Sequence, residues 1–480
     1  MTAPMHGDEA LRLIRSPGCP VCGEAEHAEE QFFKWLVIEN YGQFETIMRL
    51  KASLGLCAAH TRRLLALGGE AICVPVFGHV LDATRQQLAQ PSSVQACLAC
   101  EGVRWTVGRT IHILSQGLAQ PEVLDAYRAQ NYLCVPHALD LLAAVPPAVA
   151  GHVAAATAAR LEDPSSSREG ILAGSDRDAE PRRRARAALA RLDVAPSSGP
   201  LELERRLELS CCPVCLARGE LELQYLDWLL AEHARSPSAV RDDLRSLCKT
   251  HVHDIAASDK RVEPLLHPQR EQTRVVLGRF LDELATLPPE GVVARARAIP
   301  GHARDERSRH ATTFARWRGG VAWARSSRDS RTRLAYTRLR GSVAGCHACH
   351  AADTAERRES ELLMARLLDS AFVRRYEERH GLCARHVLAM AAGPGRDLAA
   401  RALEARLASL AWEIDEAARK RSWSFRHESA GDEETAWLRV AAQLDGRTFL
   451  GGPAAHSAVV ARPVELVRES RDPAQRRTLG

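Results

Sequence analysis

Sixteen residues in this chain have the types and spacing of metal ligands. Four Cys-x-x-Cys pairs occur, at Cys19/Cys22, Cys97/Cys100, Cys212/Cys215 and Cys346/Cys349. Each is followed by a Leu-Cys-x-x-His segment, giving Cys57/His60, Cys134/His137, Cys248/His251 and Cys383/His386. The second cysteine of each pair precedes the next motif's cysteine by 35, 34, 33 and 34 residues. Three thiolates and one imidazole complete the tetrahedron of a closed structural zinc site. The spacing therefore predicts four such sites, each formed within one motif copy, and about four zinc ions per chain. A closed tetrahedron keeps no position free for water or substrate, which argues against a zinc hydrolase. Iron–sulfur clusters usually take four thiolates, so the histidine favours zinc.

Two residues three apart on a helix or tight turn point the same way, so each half of a motif presents two ligand atoms to one point. Exposed N–H groups at a helix start also favour a thiolate there. The element pattern that must carry the ligands is helical. A helix opens at each Cys-x-x-Cys, as in CPVCGEAEHAEEQFFKWLVIEN and CPVCLARGELELQYLDWLLAEH. A shorter helix follows, as in FETIMRLKASL or PEVLDAYRAQN, and Leu-Cys-x-x-His starts a third, with Pro136 suited to its first turn. Leu223, Leu226 and Leu230 fall on one helical face, as do Ile72, Val76 and Val80, and Leu363, Leu367 and Ala371. Trp35 and Trp228, each thirteen residues beyond its knuckle, are expected as core anchors. The fold class is all-α: tandem helical hairpin units, each clipped by a Cys3His metal site that stands in for a core too small to hold alone.

The expected organisation is a first Cys3His unit over 1–90, a second over 91–161, a polar and basic linker over 162–203 and a third unit over 204–299. An arginine-rich insertion over 300–341, a fourth unit with closing helices over 342–450 and a tail over 451–480 complete the chain. The insertion holds eleven arginines against three acids, with Trp317 and Trp323 among them.

At 480 residues and 45% hydrophobic content the chain can bury substantial cores, and its net charge of +5 does not by itself point to nucleic acid. Of fourteen cysteines only Cys73 and Cys211 lie outside the motifs, which argues against a disulfide framework. Residues 1–20 hold no apolar segment of the kind an export signal needs. The longest uncharged stretch, Leu141 to Ala159, is broken by Pro146 and Pro147 and reads as two amphipathic helices around a kink rather than a membrane span. The expectation is a cytoplasmic protein with reduced thiols and no membrane association.

CHACH, from Cys346 to His350, matches a haem-attachment pattern, but the other knuckles carry Gly, Glu and Leu where His350 stands. His347 and His350 read as exposed neighbours of the site, and Cys211 as a spare thiol beside Cys212. No P-loop, Gly-x-Ser-x-Gly or His-Glu-x-x-His occurs, so no catalytic or cofactor-binding residue is assigned. His27, His79, His112 and His233 read as packed or surface imidazoles.

At CPVC…LCAAH, CPVC…LCKTH and GLCARH the chain resembles a bacterial family of helical proteins of unknown function that carry CPxC…GLCxxH modules. WSFRHE, from Trp423 to Glu428, with the following helix around Trp437 and the Gly446-Arg447 turn, resembles that family's closing segment. CLAC, in the second unit, departs by lacking the proline. The resemblance implies the helical module and no activity. The favoured reading is a zinc-binding scaffold or adaptor with a protein partner. One alternative is a nucleic-acid-associated protein that uses the arginine-rich insertion on phosphates. A third is a thiol redox sensor or enzyme with one open metal site.

Overall fold

A computed structural model describes residues 3–130, 133–163, 168–176, 200–209, 211–258, 262–286, 345–429 and 431–448. The arginine-rich insertion, the basic part of the linker and the tail lie outside these residues. About 80% of the structure is helical and no strand occurs among the described residues.

Each Cys-x-x-Cys opens a helix: Pro20–Trp35, Leu98–Gly117, Pro213–Arg235 and His347–Arg366. Shorter helices follow at Phe44–Ala52, Pro121–Gln130, Arg241–Ser246 and Ser370–Glu378. The Cys-x-x-His segments start Ala58–Ala89, Val135–Leu142, Lys249–Ser258 and Ala384–Ala389, and long helices close each stretch, at Pro147–Glu162, Val262–Thr286 and Pro394–Arg421. In the first stretch the closing helix is fused to its predecessor. Gly69, at φ 53°, breaks the helical geometry of Ala58–Ala89 at that point. The uncharged stretch from Leu141 resolves as expected into two helices, with Pro146 the cap residue before Pro147–Glu162.

The chain forms two compact units, each discontinuous in sequence. One comprises Met1–Glu29, Gly102–Arg177 and Trp228–Ala348, the other Glu30–Glu101, Asp178–Asp227 and Cys349–Gly480. Four of the five divisions fall inside the helices that the Cys-x-x-Cys pairs open. In the first unit, Val262–Thr286 packs on Pro147–Glu162 and Arg241–Ser246, and Ala3–Ile14 packs on Pro121–Gln130. In the second, Pro394–Arg421 lies along Ala58–Ala89, and Ala436–Leu444 packs against both. Val76, Phe77, Val80 and Leu81 share that second core with Leu403, Leu407, Leu410 and Ile414. Each such side chain, fully buried, contributes roughly 1.5–3 kcal/mol.

Ala58–Ala89 is the one described helix long and apolar enough to cross a membrane. Its apolar residues have another use. Cys73, Val74, Val76, Phe77, Val80 and Leu81 are all buried in the core of the second unit.

The two tryptophans expected in the core are not there. Trp35 is 39% and Trp228 45% exposed. Phe33 and Leu36, three apart, occupy the buried face of the first knuckle helix, and Leu226 and Leu229 do the same in the third. A residue two positions past Phe33 or Leu226 is turned by about 200° and faces away. Ala371 likewise lies at the surface, although Leu363 and Leu367 are buried as their spacing required.

Candidate metal centres

All eight half-sites are built the same way. The first ligand is the residue before a helix and the second lies in its first turn, three residues on. Cys57, Cys134 and Cys383 hold extended backbone as cap residues, with φ of −68°, −71° and −73°. Their carbonyls accept the first helical hydrogen bonds, from Thr61, Ala138 and Val387. The knuckles match: Gly23, Glu101 and Leu216 donate to the carbonyls of Cys19, Cys97 and Cys212. Pro20 and Pro213 therefore stand at the first helical position, where a missing N–H costs nothing and the fixed φ suits the helix. Every half-site thus points two ligand atoms past a helix N-terminus, whose partial positive charge favours thiolates.

The approach to the Cys-x-x-His helix turns sharply. Gly55 and Gly381 adopt φ of 88° and 64° two residues before Cys57 and Cys383, in the left-handed region that other residues avoid. A Cβ on Gly381 would also lie 2.7 Å from the Arg406 guanidinium.

The half-sites do not pair within motif copies. Cys19 and Cys22 meet Cys134 and His137; Cys57 and His60 meet Cys97 and Cys100. Cys212 and Cys215 meet Cys383 and His386; Cys248 and His251 meet Cys346 and Cys349. This corrects the expectation of hairpins each clipped by their own site. All sixteen predicted ligands are gathered, but every cluster joins two copies, and the clusters nest. In each half of the chain the first knuckle takes the second Cys-x-x-His, while the first Cys-x-x-His takes the second knuckle.

Within each cluster the ligand atoms lie within 4.8 Å of one another. The imidazole turns Nδ1 to the sulfurs every time. His137 Nδ1 lies 3.4, 3.4 and 3.2 Å from the sulfurs of Cys19, Cys22 and Cys134. His60 Nδ1 is 3.2, 3.4 and 3.4 Å from Cys57, Cys97 and Cys100. His386 Nδ1 is 3.3, 3.5 and 3.2 Å from Cys212, Cys215 and Cys383. His251 Nδ1 is 3.2 Å from both Cys248 and Cys346. Sulfur–sulfur separations are 3.8 Å for Cys22–Cys134, 3.6 Å for Cys57–Cys100 and 3.8 Å for Cys215–Cys383.

These are the edges of a tetrahedron about a single ion. Metal–sulfur bonds of about 2.3 Å and metal–nitrogen bonds of about 2.0–2.1 Å give sulfur–sulfur edges of about 3.8 Å and sulfur–nitrogen edges of about 3.5 Å. A polynuclear cluster would hold its ligand atoms farther apart. A disulfide needs sulfurs about 2.05 Å apart, and none of the fourteen cysteines is in a disulfide.

Electrostatics point the same way. Hydrogen bonds from Cys134 and Cys19 hold the Cys22 thiol far below its ordinary range, while Cys134 is pushed far above it by Cys19, by Cys22 and by burial. The second cluster divides alike, with Cys97 lowered and Cys100 raised by their sulfur neighbours. Three adjacent sulfurs thus share few negative charges unless a cation sits among them. Burial opposes protonation of His137, but hydrogen bonds to Cys19 and Cys22 push it up to about 10.

The clusters differ in enclosure. All four members of Cys212/Cys215/Cys383/His386 are buried, whereas all four of Cys57/His60/Cys97/Cys100 are half-buried. Gly174, at φ 70°, lies over the first cluster, and a Cβ there would fall 2.5 Å from Cys22 Sγ.

The haem-like CHACH segment belongs to the fourth cluster through Cys346 and Cys349. His347 Nδ1 pairs instead with Asp243 at 2.8 Å, and His350 is exposed. Cys211 is outside the third cluster, buried against Leu216, where burial pushes its thiol up. Cys73 is buried in the core of the second unit and is raised for the same reason.

Sequence reasoning missed Glu356, which faces His386, and Arg218, which pairs with Glu356, and noted Arg447 only as part of the Gly446-Arg447 turn without a role at the site. No local motif joins them, because they come from three separated segments. Comparison with family models, with curated proteins and with solved structures gives no match.

Proposed function

We propose that this chain is a zinc-stabilised helical scaffold whose four Cys3His sites are structural, and that it acts as a binding or adaptor protein. The observation that carries this reading is the convergence of sixteen ligands into four sets with the edge lengths of a tetrahedron. Three thiolates and an imidazole leave a tetrahedral ion no open position, so the sites serve folding rather than hydrolysis. The free thiols are in keeping with a reducing compartment, as in the cytoplasm. Exposed large apolar side chains support the binding role: Trp35, Ile38, Phe44 and Met48 lie close in sequence, and Ile38 and Phe44 are 72% and 79% exposed.

The test is elemental analysis of protein purified under reducing conditions, with an absorption spectrum. About four zinc ions per chain and no visible absorption are expected. Stoichiometric iron with absorption near 400 nm would overturn the assignment.

A further inference from the structure

The most enclosed cluster has a second layer. His386 turns Nδ1 to the three sulfurs and places Nε2 3.2 Å from Glu356 Oε1. Glu356, from His347–Arg366, accepts Arg218 Nη1 on Oε2 at 2.6 Å, and Arg447 Nη2 on the same oxygen. Arg218 follows Cys215 by three residues on its own helix. Arg447 comes from the closing turn Gly446–Thr448, whose backbone runs close against the cluster. A Cβ on Gly446 would lie 2.9 Å from Cys215 Sγ and 3.0 Å from Cys212 Cβ. Arg62 Nη1 donates to the Arg447 carbonyl at 3.1 Å, and the Arg447 N–H donates to Asp445 Oδ1 at 3.0 Å.

An imidazole that binds a metal through Nδ1 carries its proton on Nε2, and a carboxylate there holds that tautomer, aims the ring and raises its basicity. Three thiolates around a divalent ion leave a net charge of −1, and Glu356 adds another. Arg218, which also pairs with Asp353, and Arg447 face this negative charge in a half-buried layer, where unpaired charge is costly. We propose that Glu356 is the positioning residue of the Cys212/Cys215/Cys383/His386 site, fixing His386 as an Nε2–H donor and Nδ1 ligand, with Arg218 and Arg447 holding its carboxylate in place. The proposal rests on the zinc reading above.

The test compares full-length protein with Glu356→Gln and Glu356→Ala, each loaded with zinc. Zinc is titrated against a chromogenic chelator, and the His386 tautomer is read from long-range proton–nitrogen NMR correlations, assigned with His386→Gln. The Ala variant should weaken one zinc of four by about 10–100-fold, the same zinc that Cys383→Ser removes. In that variant the Nε2–H signal should exchange rapidly. Glutamine still accepts the Nε2 proton, so its variant should keep the tautomer and lose affinity only several-fold. Should the Ala variant not fold, the Gln variant decides. Wild-type zinc affinity at all four sites in the variants that fold overturns the proposal while leaving the zinc reading intact. Wild-type protein without zinc overturns both.

Discussion

His137 Nδ1 lies 3.4 Å from Cys19 Sγ across 118 positions of sequence, while His60, much nearer in the chain, faces Cys97 and Cys100. Each metal would therefore close a loop between motif copies, and the long loops belong to the first knuckle of each half. Cys212 and His386 are 174 positions apart. Because loop-closure entropy grows only with the logarithm of length, ions closing these long loops restrict the unfolded chain by only about 1 kcal/mol more than a clip within one hairpin would.

The exchanged pairing predicts which substitutions share a metal. Cys57→Ser and Cys97→Ser, singly or together, should each lower the zinc content by one ion. Cys57→Ser combined with Cys19→Ser should lower it by two. Elemental analysis of the four proteins checks this. Pairing within motif copies requires the reverse pattern.

Metal retention should fall with acid. Each bound ion displaces protons from three thiols and requires a neutral Nδ1 on its histidine, so protonation competes with binding. Zinc release followed by a colorimetric chelator should rise as pH is lowered. The half-buried Cys57/His60/Cys97/Cys100 site should empty before the enclosed Cys212/Cys215/Cys383/His386 site. Simultaneous release from both, in one step and at one pH, would count against separate sites.

A buried ionic group gives a pH dependence of opposite sign. Arg206 Nε donates to Glu220 Oε2 at 3.0 Å and its Nη1 to Glu359 Oε1 at 2.9 Å, with all three side chains buried. One arginine cannot balance both buried carboxylates. Burial raises the Glu220 carboxyl to about 7 despite Arg206, and Glu359 is raised for the same reason. A carboxyl whose folded value exceeds its unfolded one binds its proton more tightly in the folded state. Its contribution is complete below the unfolded value of 4.5 and is lost as pH rises through about 7. Denaturant titrations of zinc-saturated protein should show Glu220→Gln gaining on wild type by up to about 3 kcal/mol between pH 5 and 8. Parallel stability curves for the two proteins would refute the assignment.

The core of the second unit can be probed far from any ligand. Leu407, fully buried on Pro394–Arg421, packs in the core it shares with Ala58–Ala89. Leu407→Ala should cost about 2–5 kcal/mol while leaving the zinc content unchanged. Calorimetry and elemental analysis together check that packing and metal contribute separately.

The sequence by itself determined the ligands, their local geometry and the helical class. The three-residue offsets, helped by Cys-Pro at Cys19 and Cys212, dictate a cap residue and a first-turn partner at each helix start, which is a property of a few consecutive residues. Burial of Val76, Val80, Leu363 and Leu367 followed from helical spacing in the same way. Trp35 and Trp228 escaped that logic because bulk alone does not say which face of a helix is inward; the flanking Phe33/Leu36 and Leu226/Leu229 pairs carried that information.

Only the tertiary structure decided which half-sites meet. Four Cys-x-x-Cys and four Cys-x-x-His segments are chemically interchangeable, so no local feature distinguishes a partner in the same copy from one in the next. The near-constant separation of 33 to 35 residues measures the two helices that carry the chain from one cluster to another. Pairing was settled by long-range packing, such as Pro394–Arg421 along Ala58–Ala89. The same packing brought Glu356 and Arg447, 91 positions apart, to the back of His386.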